Sequence, residues 1–138
     1  MKYLFDSSAI FRAIKENKIE VLAGNHTLEL AKYELGNIIW KDLFLQATLS
    51  EQEAKMMIKA IKHTLIIMDV IEIAGIEEEI LETAMRLKIT FYDASYVYLA
   101  KAKGLKLITE DARLIKKIAQ TVDSTTIDEV NNPENSSV

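Results

Sequence analysis

Four carboxylates stand where a plain fold has little use for them: Asp6, Glu34, Asp93 and Asp111. Asp6 ends the apolar run Tyr3-Leu4-Phe5, and Asp111 comes just past Leu107-Ile108-Thr109. Glu34 and Asp93 interrupt the apolar stripes of two helical patterns. A buried carboxylate is costly unless a charge partner, a proton or a metal ion compensates it. If the four converge, they form a cage for a hard divalent cation, Mg2+ or Mn2+. Oxygen donors without histidine or cysteine disfavour zinc and copper. Such a cage points to phosphoryl-transfer chemistry.

Each acid also has a plainer use. Asp6 and Asp111 can cap the helices that follow them, and Asp93 sits in the first turn of another. Glu34 lies three residues after Ala31 and four before Ile38, so helical spacing puts it on their buried side. Its ordinary partner there would be Lys32 or Lys41. Glu110 competes with Asp111 and reads as the solvated member of the pair. Ser7 and Thr109 adjoin the suspected ligands, where a hydroxyl can orient a carboxylate. Gly36 costs a helix about 1 kcal/mol relative to alanine, which implies close backbone packing around it.

The elements that must position these groups alternate between short apolar runs and helical patterns. Strands are expected at 2–5, 19–23 and 106–109, with a last one at or near 121–123. Residues 65–68 read as strand or loop. Helices are expected from Ser7-Ser8 to about Asn17, and from Thr27 through Phe44. A third follows a Ser50/Glu53 capping box, and others span about 76–87, 92–103 and 112–119. This alternation predicts a three-layer α/β/α domain over 1–130, its central sheet mainly parallel. The two consecutive helices between 28 and 62 predict a projecting helical hairpin. Residues 131–138 form a polar tail expected to be disordered.

Composition bounds the chemistry. The 138 residues suit one domain, and 49% hydrophobic content suits an ordinary globular core. Absent cysteine rules out disulfides, thiolate metal sites and thiol nucleophiles. No apolar run approaches the ~20 residues of a membrane span, and the N-terminal run is too brief for a secretory core. A cytoplasmic protein is expected. The net charge of −4 weighs against nucleic acid, but setting four of the 21 acids aside balances the 17 basic residues.

Together these residues resemble the PIN-domain nucleases, in particular the VapC-type toxins of type II toxin–antitoxin pairs. The likeness is carried by Leu4-Phe5-Asp6-Ser7-Ser8, by Tyr33-Glu34-Leu35-Gly36-Asn37 and by Phe91-Tyr92-Asp93-Ala94-Ser95-Tyr96. Leu107-Ile108-Thr109-Glu110-Asp111-Ala112-Arg113-Leu114 completes it. It runs from residue 2 to about 127. The resemblance implies a Mg2+- or Mn2+-dependent endoribonuclease, with Asp6, Glu34, Asp93 and Asp111 as its acidic positions and Thr109 as its hydroxyl position. It also implies a homodimer and a small inhibitory antitoxin whose tail enters the groove. Some relatives carry a further acid two positions past the last aspartate, where this chain has Arg113.

An RNA substrate would need basic contacts around the pocket: Lys15, Lys18, Lys41, Arg113, Lys116 and Lys117 are the candidates. Tyr92, Tyr96 and Tyr98 are candidates for stacking bases, with Tyr96 better placed for the core. The helix with Ile38, Ile39, Trp40 and Phe44 carries more apolar surface than one buried stripe needs, which fits a dimer or partner face. The alternative function is a catalytically silent RNA-binding or assembly module. A phosphatase of the haloacid dehalogenase type would want an aspartate where Ser8 stands, and a receiver domain would want an acid pair before its first helix.

Overall fold

A computed structural model describes residues 2–130, with five parallel strands between two layers of helices. The chain runs β1 (Tyr3–Phe5), α1 (Ser7–Lys15), a 3-10 turn (Ile19–Val21), β2 (His26–Leu28), α2 (Leu30–Phe44), α3 (Glu51–Ile67) and β3 (Asp69–Ile71). It continues through α4 (Glu77–Leu87), α5 (Phe91–Lys103), β4 (Lys106–Ile108), α6 (Ala112–Ile118), β5 (Ser124–Thr125) and a second 3-10 turn (Ile127–Glu129). The sheet order is β3-β2-β1-β4-β5.

Successive strand residues point to opposite faces of a sheet. Leu4 and Leu107 face one layer, packing with Tyr96, Val97, Leu114 and Ile118 of α5 and α6. Phe5 and Ile108 face the other, against Ile10 of α1, Leu35 and Ile39 of α2 and Ile61 of α3. The central strands are therefore apolar on both sides, as a covered parallel sheet requires. The α/β/α architecture and the α2–α3 hairpin are those expected.

The order of the strands matters for function. From β1 the chain builds outward through β2 and β3, then crosses to β4 and β5 on the other side of β1. The reversal falls between β1 and β4. Ligands of open α/β sheets bind beyond the strand ends at such a seam. Asp6 and Thr109 come directly after those two strands.

Several local expectations differ from the structure. The run at 19–23 is helical rather than extended, because Val21 and Leu22 bury themselves from a 3-10 turn. The strand follows it at His26–Leu28, where a helix was expected to begin, and pairs with both β1 and β3. Asn25 secures the junction: its Nδ2 donates to Val21 O at 2.9 Å and its Oδ1 accepts from Tyr3 N at 3.3 Å. Residues 65–67 close α3, and β3 starts only at Asp69. The last strand lies just past 121–123, at Ser124–Thr125. Gly36 is not tightly packed, since a Cβ there would meet nothing within 4 Å. The Ser50/Glu53 capping box forms as expected, with both bonds at 3.1 Å. The polar tail at 131–138 lies outside the described residues. Among the described residues no helix is long and apolar enough to cross a membrane.

Candidate active site

Asp6 is 7% exposed, at the head of α1. Its Oδ1 accepts from Ala9 N at 3.0 Å and from the Ser8 hydroxyl at 2.6 Å. It therefore caps the helix, but capping does not settle its charge. Burial dominates and pushes its pKa up to about 6; the bonds from Ser8, Thr109 and Ala9 oppose that rise, while the charge of Glu34 adds to it. Among the described residues no lysine or arginine bridges Asp6, Glu34, Asp93 or Asp111.

The other three acids follow as a series of neighbours. Glu34, half-buried on α2, accepts from the Tyr96 phenol at 2.8 Å. Burial raises its pKa, the Tyr96 and Ser7 hydroxyls hold it down, and the charge of Asp93 raises it further. Asp93, in the first turn of α5, is raised by burial and then by the charge of Asp111. Asp111 caps α6, its Oδ1 taking Arg113 N at 3.0 Å and Leu114 N at 3.2 Å. Like-charge coupling thus runs Asp6–Glu34–Asp93–Asp111 across four elements. Among the described residues no three acid or histidine side chains sit together as a ready-made ligand set. The arrangement is an open chain of carboxylates rather than a closed cage.

These donors fit a hard cation. All four are carboxylates, repelled by one another and unbridged by basic side chains, and Mg2+ commonly takes one or two such ligands while keeping several waters.

No family model matches the chain. Two relatives from Pyrobaculum aerophilum do: exonuclease VapC9, 33% identical over 92% of this chain and 93% of its own, and ribonuclease VapC3, 32% identical over 88% and 98%. The chain belongs to the VapC family of PIN-domain proteins. The crystal structure of the PAE2754 protein of Pyrobaculum aerophilum superposes with a TM-score of 0.73 at 28% identity, over 90% of this chain and 89% of that one. VapBC2 from Rickettsia felis, bound to a promoter DNA fragment, shares the fold with a TM-score of 0.65 at 17% identity, over 91% and 98%.

Around the acids, this VapC chain departs from several expectations about single residues. Ser8, not Ser7, bonds Asp6, and it also accepts from Glu110 N at 3.0 Å. Ser7 bonds Glu34 instead, so its hydroxyl does meet one of the four carboxylates. Thr109 is fully buried against Ser8 and accepts from Asp111 N at 3.2 Å. Glu110 is not a solvated bystander: it bonds Arg12 and accepts from Ile127 N at 2.9 Å. Tyr96 is core, as its place on the inner stripe suggests, yet its phenol reaches the site. Tyr98 is half-buried, packed against the apolar core and lining a cavity with Glu79, Arg86 and Lys101.

The basic candidates divide by position. Lys41 lines an open groove of about 390 Å³ with Ser7, Tyr33, Glu34, Asn37 and the exposed Tyr92. Lys117 acts on Asp93 and donates to Lys88 O at 3.1 Å. Arg113 and Lys116 are exposed on α6. Lys15 ends α1, roughly 13 Å from Asp6 at 1.5 Å per residue, and lies over the Phe11 ring at 5.3 Å. Lys18, beyond it, pairs with Glu16 at 3.1 Å. Helix length alone carries both away from the acids. The Ser8 role had one sequence signal, its place two residues after a capping aspartate. The Tyr96 role had none beyond its stripe.

Proposed function

We propose that this chain is a divalent-metal-dependent endoribonuclease, the toxin of a toxin–antitoxin pair. The observation that carries the proposal is the chain of four carboxylates at the β1–β4 seam, unbridged by any basic side chain among the described residues. The names of the two relatives, a ribonuclease and an exonuclease, support nucleic-acid hydrolysis. Asp6, Glu34, Asp93 and Asp111 would hold Mg2+ or Mn2+. Such an ion, when bound, lowers the pKa of a water and neutralises charge developing on the phosphate.

The remaining work falls to the chain's own side chains. Ser8 and Thr109 orient Asp6, and Tyr96 with Ser7 orients Glu34 in its charged form. Lys41 and Lys117 would meet phosphate oxygens, and the exposed ring of Tyr92 would stack on a base. The groove beside Glu34 would also receive the tail of a small antitoxin. Trp40 and Phe44 of α2, 48% and 66% exposed with rings 6.0 Å apart, supply an apolar face for a homodimer. A cytoplasmic location follows from the proposed substrate.

The test uses linear and circular RNA with Mg2+, Mn2+ or EDTA. Cleavage of both forms is expected with metal and not with EDTA, and only an endonuclease opens a circle. Asp6→Asn and Asp93→Asn should abolish cleavage while circular dichroism stays native. Equal cleavage by these variants and the natural chain would overturn the assignment. RNA binding without turnover at saturating Mn2+ would identify a silent binding module instead.

A further inference from the structure

Arg12, midway along α1, commits all three guanidinium nitrogens to carboxylates. Nε donates to Glu16 at 2.7 Å, Nη1 to Glu110 and Nη2 to Asp128 at 2.7 Å. The Glu16 pair is one turn along the same helix and well exposed, an arrangement worth little. The other two partners are remote in sequence, in the turn after β4 and in the C-terminal turn Ile127–Glu129.

Glu110 is the node. One carboxylate oxygen meets Arg12 and the other accepts from Ile127 N at 2.9 Å. Its own N–H donates to Ser8 Oγ at 3.0 Å, and Ser8 donates to Asp6 Oδ1 at 2.6 Å. Thr109, in contact with Ser8, precedes it, and Asp111 follows it. A guanidinium fork on a carboxylate is directional as well as attractive. Holding the Glu110 side chain therefore fixes the backbone that presents Thr109 and Asp111, and through Ser8 it fixes the Asp6 carboxylate.

We infer that Arg12 and Glu110 are positioning residues for the acidic chain, and that they make its geometry depend on the C-terminal turn Ile127–Glu129. The inference rests on the ribonuclease reading for its consequence in catalysis. Neither residue acts on substrate directly; both act through Ser8, Asp6 and Asp111. Loss of an ion-pair cluster that served stability alone would lower the melting temperature and leave every folded molecule fully competent.

The experiment compares R12M, E110Q, the double variant R12M/E110Q, R12K and the control E16Q, all well below their melting temperatures. Three quantities are read: kcat and KM on an RNA oligonucleotide, Mn2+ affinity of the protein alone by electron paramagnetic resonance, and hydrogen exchange of the Glu110 amide. R12M and E110Q should each lower kcat and Mn2+ affinity by about tenfold or more with KM little changed, the usual scale for groups that orient metal ligands. The Glu110 amide should exchange faster. R12K should recover part of the loss, and E16Q should match the natural chain. The double variant should be no worse than the poorer single one, because both cut the same contact. Folded R12M with unchanged kcat, Mn2+ affinity and amide exchange overturns the inference, as do losses that simply add. If the natural chain fails to cleave RNA, the ribonuclease reading fails. Mn2+ affinity and Glu110 exchange in the variants still decide the positioning role of Arg12 and Glu110.

Discussion

Asp6 shows how one side chain serves two demands at once. It caps α1 with Oδ1, and burial holds its pKa near 6 instead of 3.8. The folded chain thus binds that proton more tightly than the unfolded one. Below pH 3.8 the residue is protonated in both states and contributes no difference. Between 3.8 and about 6 the unfolded chain releases its proton first, so stability falls as pH rises; above that the loss levels at about 3 kcal/mol, at 1.36 kcal/mol per unit. Asp6→Asn keeps an acceptor for Ala9 N without the charge. In EDTA it should be more stable than the natural chain at pH 8 by about 2–3 kcal/mol, with the gap closing near pH 4, as urea unfolding would measure. Tyr96 makes the complementary case. Burial, then the charge of Glu34, pushes its phenol far above the ordinary range, so the O–H stays intact as a donor. Tyr96→Phe removes a bond that favours charged Glu34, and the Glu34 carboxyl should titrate at higher pH in the metal-free protein by NMR.

At the scale of elements, two positions carry removable cost. Gly36 sits inside α2 with open space where a Cβ would go, so Gly36→Ala should stabilise the fold by about 0.5–1 kcal/mol. Lys88 ends α4 in the left-handed region at φ 56, ψ 48. Lys88→Gly should relieve about 1 kcal/mol while leaving the backbone carbonyl that Lys117 uses. Calorimetry on both variants, each expected to melt a few degrees higher, tests the pair. Helices were more legible than strands for a physical reason. The α4 and α5 patterns carry three or more turns of periodicity, with Gly104 at φ 66 to stop α5. Strand β2 is three residues long, and its place is decided by pairing with β1 and β3.

For the whole molecule, the unresolved balance is apolar surface on the α2–α3 side. Trp40 and Phe44 are joined by exposed Leu45 and Met56, more than scattered exposure would require. The proposed homodimer should therefore run as a dimer by light scattering at micromolar concentration, and Trp40→Glu with Phe44→Glu should yield a folded monomer. A monomeric natural chain would refute that face. RNA cleavage by the monomeric variant would further show that the acidic chain is complete within one subunit.

Sequence by itself determined the α/β/α class, the helical hairpin and which four acids were out of place, because alternation and 3.6-residue periodicity are local and survive without a partner. It located Asp6, Glu34, Asp93 and Asp111 on separate elements but not beside one another. Tertiary structure decided the rest: the β1–β4 seam, the Glu110 amide on Ser8, the Tyr96 phenol on Glu34 and the capture of Glu110 by Arg12. Those contacts join residues 62 to 102 positions apart. No periodicity encodes such pairs; they exist only once the sheet has set its strand order and the helices have closed on both faces.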